Sequence, residues 1–216
     1  MLALAALLLA APTAYKVDPN IGSSNFAAVF DAQVGERIVA MSGQVACSFE
    51  VDEAAGTASG SCSVPLTSID VDHIAKKTEH FQEWATNKKG KPKACTFEAK
   101  FEKAALKLEA NKEVPFIADA SFTLCGRARE DGAKEKVEGT ALLLPAGSYG
   151  DATTVRIRAK VAKFNREAYH VGPKWTDGWL ARVQQLAPVV ASEGEVTLSL
   201  FARQPEDLKP VKGKKK

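Results

Sequence analysis

The sequence predicts an all-β protein, formed by a single antiparallel β-barrel of about eight strands with one or two flanking helices. Segments in which apolar and polar residues alternate recur along the chain, and short turn signals separate them. Only two segments show helical spacing instead. With 216 residues, of which 45% are hydrophobic, the chain is long enough to bury a substantial core as one all-β domain.

The chain begins with an uninterrupted apolar segment from Leu2 to Ala11. About ten residues are too few to cross a hydrocarbon core, which needs about 20. An apolar run of this length that ends in small residues is typical of a secretory signal peptide. We therefore expect residues 1–14 to be cleaved as a signal peptide near Ala14, and the mature protein to be periplasmic or secreted. The alternative is an N-terminal core helix.

The other end of the chain, residues 205–216, is rich in lysine and lacks apolar periodicity. We expect this segment to be a disordered basic tail, and residues 15–204 to form the single folded domain. The formal charge is +3, from 29 basic and 26 acidic residues. So small an excess is not typical of a dedicated nucleic-acid-binding protein, and we predict no nucleic-acid partner.

The strands follow from the alternation. The clearest runs from Val155 to Val161, where apolar residues alternate with arginine and lysine. Gly43 lies within the longest predicted strand and indicates a bend or a bulge there. The predicted strands cover residues 26–34, 38–51, 58–68, 94–102, 114–124, 136–144, 155–161 and about 196–200.

Two helices are predicted to interrupt these strands. The first spans Ile74 to Ala85, with Asp70 or Asp72 in position to cap its start. The second follows Asp177, carries apolar residues at helical spacing as far as residue 187, and ends before a proline at residue 188.

The strand from Val114 to Leu124 indicates that the barrel is hollow. Its even residues are apolar and share one face, but they are alanine in the middle and larger only towards the ends. Small inward residues leave a lumen, which in an eight-stranded barrel is wide enough for one small ligand. Other inward positions are also small: Ala28, Ala99, Gly139, Ala141 and Ala159. The alternative is that bulky side chains across the barrel fill the space.

If the lumen is hollow, its apolar wall predicts an apolar, elongated ligand. The residues predicted to bind it are Phe26, Ala28, Phe30, Val45, Phe49, Val64, Leu66, Phe97, Phe101, Phe116, Ala118, Ala120, Phe122, Leu124, Ala141, Val155, Ile157, Ala159 and Val161.

The four cysteines, in a chain expected to be exported, indicate disulfide bonds. Folding a hairpin about residues 54–56 brings Cys47 opposite Cys62, so we predict this bond. Cys95 and Cys125 approach each other in a second hairpin, but their strand parity disagrees unless a bulge intervenes. A zinc site is not predicted, because there is no Cys-x-x-Cys pair and the spacings match no ligand knuckle.

No catalytic residue, cofactor or metal site is predicted. Gly147-Ser148-Tyr149-Gly150 resembles a nucleophile elbow, but a strand follows it where the elbow needs a helix, so we interpret it as a hairpin loop. His73 and His80 lie seven residues apart, too far along one helix face to share an ion without ligands from other strands.

Two lysine groups have alternative interpretations. Lysines at 88, 89, 91 and 93 form a basic loop, and those at 212 and 214–216 a basic end. Near a barrel rim they would hold an anionic headgroup or make transient contact with an anionic membrane surface. The alternative is a solvated loop and a solubilising tail.

Several stretches, in order, are similar to segments of the YceI-like family of exported lipid-binding proteins. Cys125 stands where that family has a histidine, and Lys77 and Thr78 replace its usual Arg-Asp pair. The segment from His170 to Val190 is longer than usual. The similar stretches are Tyr15-Lys16-Val17-Asp18-Pro19, Ser68-Ile69-Asp70, His80-Phe81, Cys95-Thr96-Phe97, Phe122 to Gly126, Phe164 to Tyr169 and Glu195-Val196-Thr197-Leu198.

The resemblance implies a lipocalin-like barrel with a long apolar tunnel that binds a polyisoprenoid chain, and it implies no catalytic residues. It places Phe81 on a helix facing the barrel, and Asn165 and Arg166 as rim or structural polar residues. The resulting hypothesis is non-enzymatic binding, transport or sequestration of a long apolar lipid. The alternatives are a solid-cored interaction or stress-related protein without a lipid ligand, and a thiol-redox role for Cys95 and Cys125.

Overall fold

The structure, a computed structural model, describes residues 11–32, 35–86, 92–172 and 190–208. Most of the expected signal peptide, the lysines at 88, 89 and 91, the second predicted helix and residues 209–216 lie outside the described residues.

The described residues form twelve strands and one α-helix. Strands β2, β5, β7, β8, β10, β11 and β12 overlap the segments predicted from alternation, and α1 overlaps the first predicted helix. The strands are β1 (Thr13–Val17), β2 (Asn25–Ala32), β3 (Arg37–Ser42), β4 (Ala46–Asp52), β5 (Thr57–Pro65), β6 (Asp70–Val71), β7 (Thr96–Ala105), β8 (Glu113–Leu124), β9 (Arg127–Ala128), β10 (Glu135–Leu144), β11 (Thr154–Asn165) and β12 (Val190–Arg203), and the helix is α1 (Ala75–Ala85).

Eight strands close into an antiparallel barrel, which confirms the predicted fold class. Their order is β1, β4, β5, β7, β8, β10, β11 and β12. The ring closes where β1 pairs with the end of β12, through Lys16 with Arg203 and Val17 with Ala202. Earlier along β12, its partner is β2 instead, and β3 and β6 extend the sheet from there. The long β12 therefore belongs to both the ring and the extension.

The two ends of the barrel differ in their connections. We call one the hairpin end, because the β4–β5, β7–β8 and β10–β11 turns lie there. We call the other the helix end, because α1 packs against β6 there. Strands β5, β8 and β11 all finish at the helix end, at Pro65, Leu124 and Asn165 respectively.

The single strand predicted over residues 38–51 is wrong. Residues 43–45 break it into β3, which lies between β2 and β6, and β4, which lies between β1 and β5. The buried positions change parity across the break, from Ala40 and Ser42 to Val45 and Cys47. Gly43 therefore lies at a bend, which was one of the two predicted irregularities, and the predicted strand divides into two there.

The predicted cap of α1 is also wrong. Ile74 occupies the N-cap position and makes no side-chain capping bond. The Asp72 carboxylate instead accepts from the N–H of Val39 at 2.8 Å and from Nζ of Lys77 at 2.8 Å. A β-strand and the helix are thus held by one side chain, which the capping prediction had assigned to the helix alone.

Both cysteine pairs are bonded. Cys47 and Cys62 are direct cross-strand partners on β4 and β5, as the hairpin register predicted. Cys95 and Cys125 also pair, with 4.6 Å between their Cα atoms. The parity conflict is resolved in two ways: the β7–β8 register shifts between Phe101 and Ala104, and Cys125 follows the end of β8 in a left-handed conformation, φ +51°. All four cysteines are thereby used.

The chain ends of the described region differ slightly from expectation. Strand β1 starts at Thr13 and pairs there with Val51, so it includes two residues assigned to the signal peptide. The segment predicted to be disordered begins with an ordered 3-10 turn, Pro205–Asp207. Within the described ranges, no helix has the length and apolar character needed to span a bilayer.

The hairpin end is filled by a solid apolar cluster, which we call the plug. Strands contribute side chains such as Val51 and Val155, and the β7–β8 connection contributes Leu106 and Leu108. The plug consists of Tyr15, Phe49, Val51, Ala58, Leu106, Leu108, Ala141, Val155 and Ala202.

Candidate functional site

An apolar cavity of about 260 Å³ occupies the barrel from the plug towards the helix end. For comparison, an apolar cavity of about 150 Å³ is large enough to bind benzene. All the residues predicted to bind the ligand border this cavity except Val45, Leu66, Ala141, Val155 and Asn165. The structure therefore brings most of that set together around one cavity.

Small residues keep the middle of the lumen open. Ala28 on β2 pairs with Ala40 on β3, and Ala159 on β11 pairs with Gly139 on β10. Ala118 on β8 likewise faces a small neighbour on β7. Small residues thus meet small residues across these strand pairs, so the side chains that border the middle of the lumen are short there.

Two glycines make room for aromatic rings inside the barrel. Gly139 pairs with Phe116, and a Cβ added to this glycine would lie 2.8 Å from Cζ of the ring. Gly194 pairs with Phe30, and a Cβ there would lie 2.5 Å from Cδ1 of that ring. Each ring thus occupies the recess that a missing side chain leaves.

Four residues form the floor of the cavity. Phe49, Phe101, Phe116 and Ile157 border the cavity and also pack in or against the plug. Ala141 and Val155, which were predicted to bind the ligand, are fully buried behind this floor. Their inward orientation is correct, but alternation reports the face of a strand and not the depth along the barrel.

Val45 and Leu66 also lie outside the cavity wall. Leu66 belongs to a 3-10 turn, Leu66–Ser68, and its N–H donates to the carbonyl of Cys95 at 3.1 Å. Both residues are buried in the core cluster of the helix end. They support the wall from behind rather than facing the lumen.

Helix α1 contributes the polar and aromatic residues nearest the helix end. Phe81, Lys77 and His80 border the cavity, and the ring of Phe81 lies edge-on to Phe97 at 6.1 Å. Lys77 pairs with Asp72 and Glu36. Hydrogen bonds to these carboxylates raise the pKa of Lys77.

Asn165 and Arg166 hold the backbone at the helix end. The Asn165 side chain accepts from the N–H groups of Glu167 and Ala168 and so caps the 3-10 turn Arg166–Tyr169. The guanidinium of Arg166 donates to the carbonyls of Ala191, Val171 and Val190, at 3.0, 2.7 and 2.8 Å. Burial lowers the pKa of Arg166. Arg166 borders the cavity, whereas Asn165 does not.

A buried polar network at the helix end was not predicted. The hydroxyl of Tyr169 donates to Glu135 at 2.8 Å, and Arg129 donates to the same carboxylate oxygen at 2.9 Å. Burial and the Glu135 carboxylate raise the pKa of Tyr169. The sequence contained one sign that Glu135 is buried, because this residue falls on the same face of its strand as the inward Val137.

The other sequence motifs have structural explanations. Residues 147–150 lie in the turn between β10 and β11, where Leu144 pairs with Thr154, so the predicted hairpin loop is confirmed. His73 pairs with Asp70 at 2.6 Å. Among the described residues, no group of three or more histidine, cysteine or acidic side chains is placed to hold a metal ion.

The sequence matches no family model and no curated protein. A solved structure, described as a polyisoprenoid-binding domain from Saccharophagus degradans implicated in plant cell wall breakdown, is similar. Its TM-score is 0.59 at 12% identity, and the match covers 89% of this chain and 99% of that one. The two chains share one fold. The lipocalin-like barrel implied by the sequence resemblance is thus confirmed, along almost the whole length of that binding domain.

Proposed function

We propose that this protein binds a long apolar lipid, a polyisoprenoid, inside its barrel and carries or sequesters it in the periplasm or outside the cell without reacting with it. The observation that carries this proposal is the almost entirely apolar cavity of about 260 Å³. The binding activity named for the structural neighbour supports the same ligand class.

The free energy of binding comes from removing apolar chain carbons from water. Each buried methylene contributes about 0.8 kcal/mol. The lumen needs no polar partner for the chain itself, since Phe, Val, Leu and Ala residues surround it. The ordered wall also limits the entropy that the protein loses on binding.

The polar head of the lipid faces the helix end, where Lys77 and His80 border the cavity. Arg166 is already committed to three backbone carbonyls, so its role is to hold this end in shape. The two disulfide bonds fit an oxidising compartment and support the exported location.

The test is a pair of matched substitutions. Phe30→Asp places a charge in the lumen, whereas Ile117→Asp places one on a side chain that is 56% exposed. Uptake of a fluorescent polyprenol is measured for both, and circular dichroism checks their folding. We expect Phe30→Asp to abolish uptake, because a carboxylate there must either stay charged beside hydrocarbon or take up a proton. Ile117→Asp should bind as the unchanged protein does.

Native mass spectrometry of the purified protein gives an independent readout. A bound hydrocarbon mass that is present in the unchanged protein and absent from Phe30→Asp supports the proposal. Equal uptake by folded Phe30→Asp and Ile117→Asp contradicts it.

A further inference from the structure

The lumen is blind at the hairpin end. Behind the floor, Val51, Ala141, Val155 and Ala202 are each at most 1% exposed. The floor residues pack in or directly against this plug. An apolar chain that enters from the helix end therefore stops at the floor.

The distance available to such a chain follows from β8. Phe116 and Leu124 both border the cavity and lie at its two ends along this strand. At about 3.4 Å per residue and a strand tilt of about 40°, the lumen is about 20 Å deep along the barrel axis. A longer chain must leave its remainder outside.

Among the floor residues, Phe116 is the one whose removal opens space most directly. Its partner on β10 is Gly139, which has no side chain to move into the gap. The ring lies so close to this glycine that an added Cβ would clash with it. Truncating the ring therefore leaves a recess that extends the cavity towards the plug.

We propose that Phe116 sets the upper limit on the length of apolar chain that the barrel accepts. This inference rests on the proposed function and refines its ligand class: the chain terminates inside the protein, against the ring of Phe116. The limit is a property of the floor and not of the total cavity volume.

A series of straight-chain primary alcohols, from hexanol to octadecanol, tests the limit by displacement of a fluorescent lipid probe. In the unchanged protein, each added methylene should lower Kd about fourfold, which corresponds to about 0.8 kcal/mol. Once the chain end reaches the floor, Kd should become independent of length. In Phe116→Ala this break should move to an alcohol several carbons longer.

Phe122→Ala is the matched control. Phe122 borders the cavity on the same strand, six residues nearer the helix end, and its ring packs on Phe164 at 5.7 Å. It does not belong to the floor. Its truncation widens the lumen without deepening it, so the break should remain at the length found for the unchanged protein.

Each outcome decides. An unmoved break in folded Phe116→Ala, or an equal shift in Phe122→Ala, overturns the role of Phe116. If no alcohol displaces the probe from the unchanged protein, and the probe itself does not bind, the proposed function fails and the length limit falls with it. If Phe116→Ala does not fold, the milder Phe116→Leu decides, with a smaller shift in the same direction expected.

Discussion

The hairpin end and the helix end are built from the same strands, yet one is solid and the other hollow. At the hairpin end, Val155 and Ala141 are fully buried. Towards the helix end, inward residues such as Phe122 and Leu198 remain partly accessible because they face the lumen. A connection adds to this difference, because Leu106 and Leu108, between β7 and β8, belong to the plug. Alternation alone therefore does not decide whether a barrel is filled.

The largest effect should come from truncating the plug. Leu106→Ala should lower the free energy of unfolding by about 4 kcal/mol, because a packed site relaxes little into the cavity created. Leu198→Ala, at the cavity wall, should cost only about 2 kcal/mol, since Leu198 already lacks neighbours on one side. Urea unfolding measures both values. Equal costs would show that the two ends are packed alike.

The disulfide bonds give the next largest effect. The Cys95–Cys125 bond, at the helix end, joins residues 30 apart, and the Cys47–Cys62 bond joins residues 15 apart. Loop-closure entropy predicts losses of about 3.6 and about 3 kcal/mol when each pair is replaced by alanine. Thermal unfolding of the two double variants provides the measurement. A larger loss for the shorter loop would mean that local packing outweighs the entropy of the unfolded chain.

The buried network at the helix end should contribute less. Tyr169→Phe removes the hydrogen bond to Glu135 and should cost about 2 kcal/mol, because the acceptor is a buried carboxylate. Tyr149, which is 40% exposed, provides the control, and its change to phenylalanine should alter stability by less than about 0.5 kcal/mol. If the two variants unfold alike, the network does not stabilise the hollow end.

The smallest expected effect is the loss of stability at acid pH through Asp72, whose carboxylate joins α1 to β3. Burial acts to raise the pKa of Asp72, but hydrogen bonds from Lys77 and from the N–H of Val39 lower it overall from its ordinary value of 3.8. Because the folded-state pKa is lowered, the stabilisation is complete above the unfolded-state pKa. It is lost as the pH falls through the folded-state pKa.

The protection of the Val39 amide against exchange, relative to the intrinsic rate at each pH between 2 and 6, measures this loss, which for the partly exposed Asp72 should be below about 1 kcal/mol. In Asp72→Asn, the protection of this amide should not depend on pH in this range. An equal loss of protection at acid pH in both proteins would place its origin elsewhere.

Much of the fold could be predicted from local patterns. The hairpin from β4 to β5 could be predicted from its turn and from the alternation of apolar residues on both strands. The same register places Cys47 opposite Cys62. The irregularity at Gly43 was predicted, but the division of that segment into β3 and β4, which the change of parity marks, was not. The capping prediction failed at Asp72 because its carboxylate accepts from the N–H of Val39, on another strand, and not from the start of the helix.

The site could be predicted in outline only. Alternation identified the inward face, and small residues such as Ala118 and Ala120 indicated a space. Alternation did not locate the floor, because it reports the face of a strand and not the depth along the barrel. The structural role of Arg166 was not predicted in detail, because two of the three carbonyls to which it donates, those of Val190 and Ala191, lie far from it in sequence.

Because side chains from four different strands form the base of the container, its capacity is separable from the backbone scaffold. Shortening a side chain at this base removes atoms from the interior without altering a single hydrogen-bonded rung of the surrounding wall.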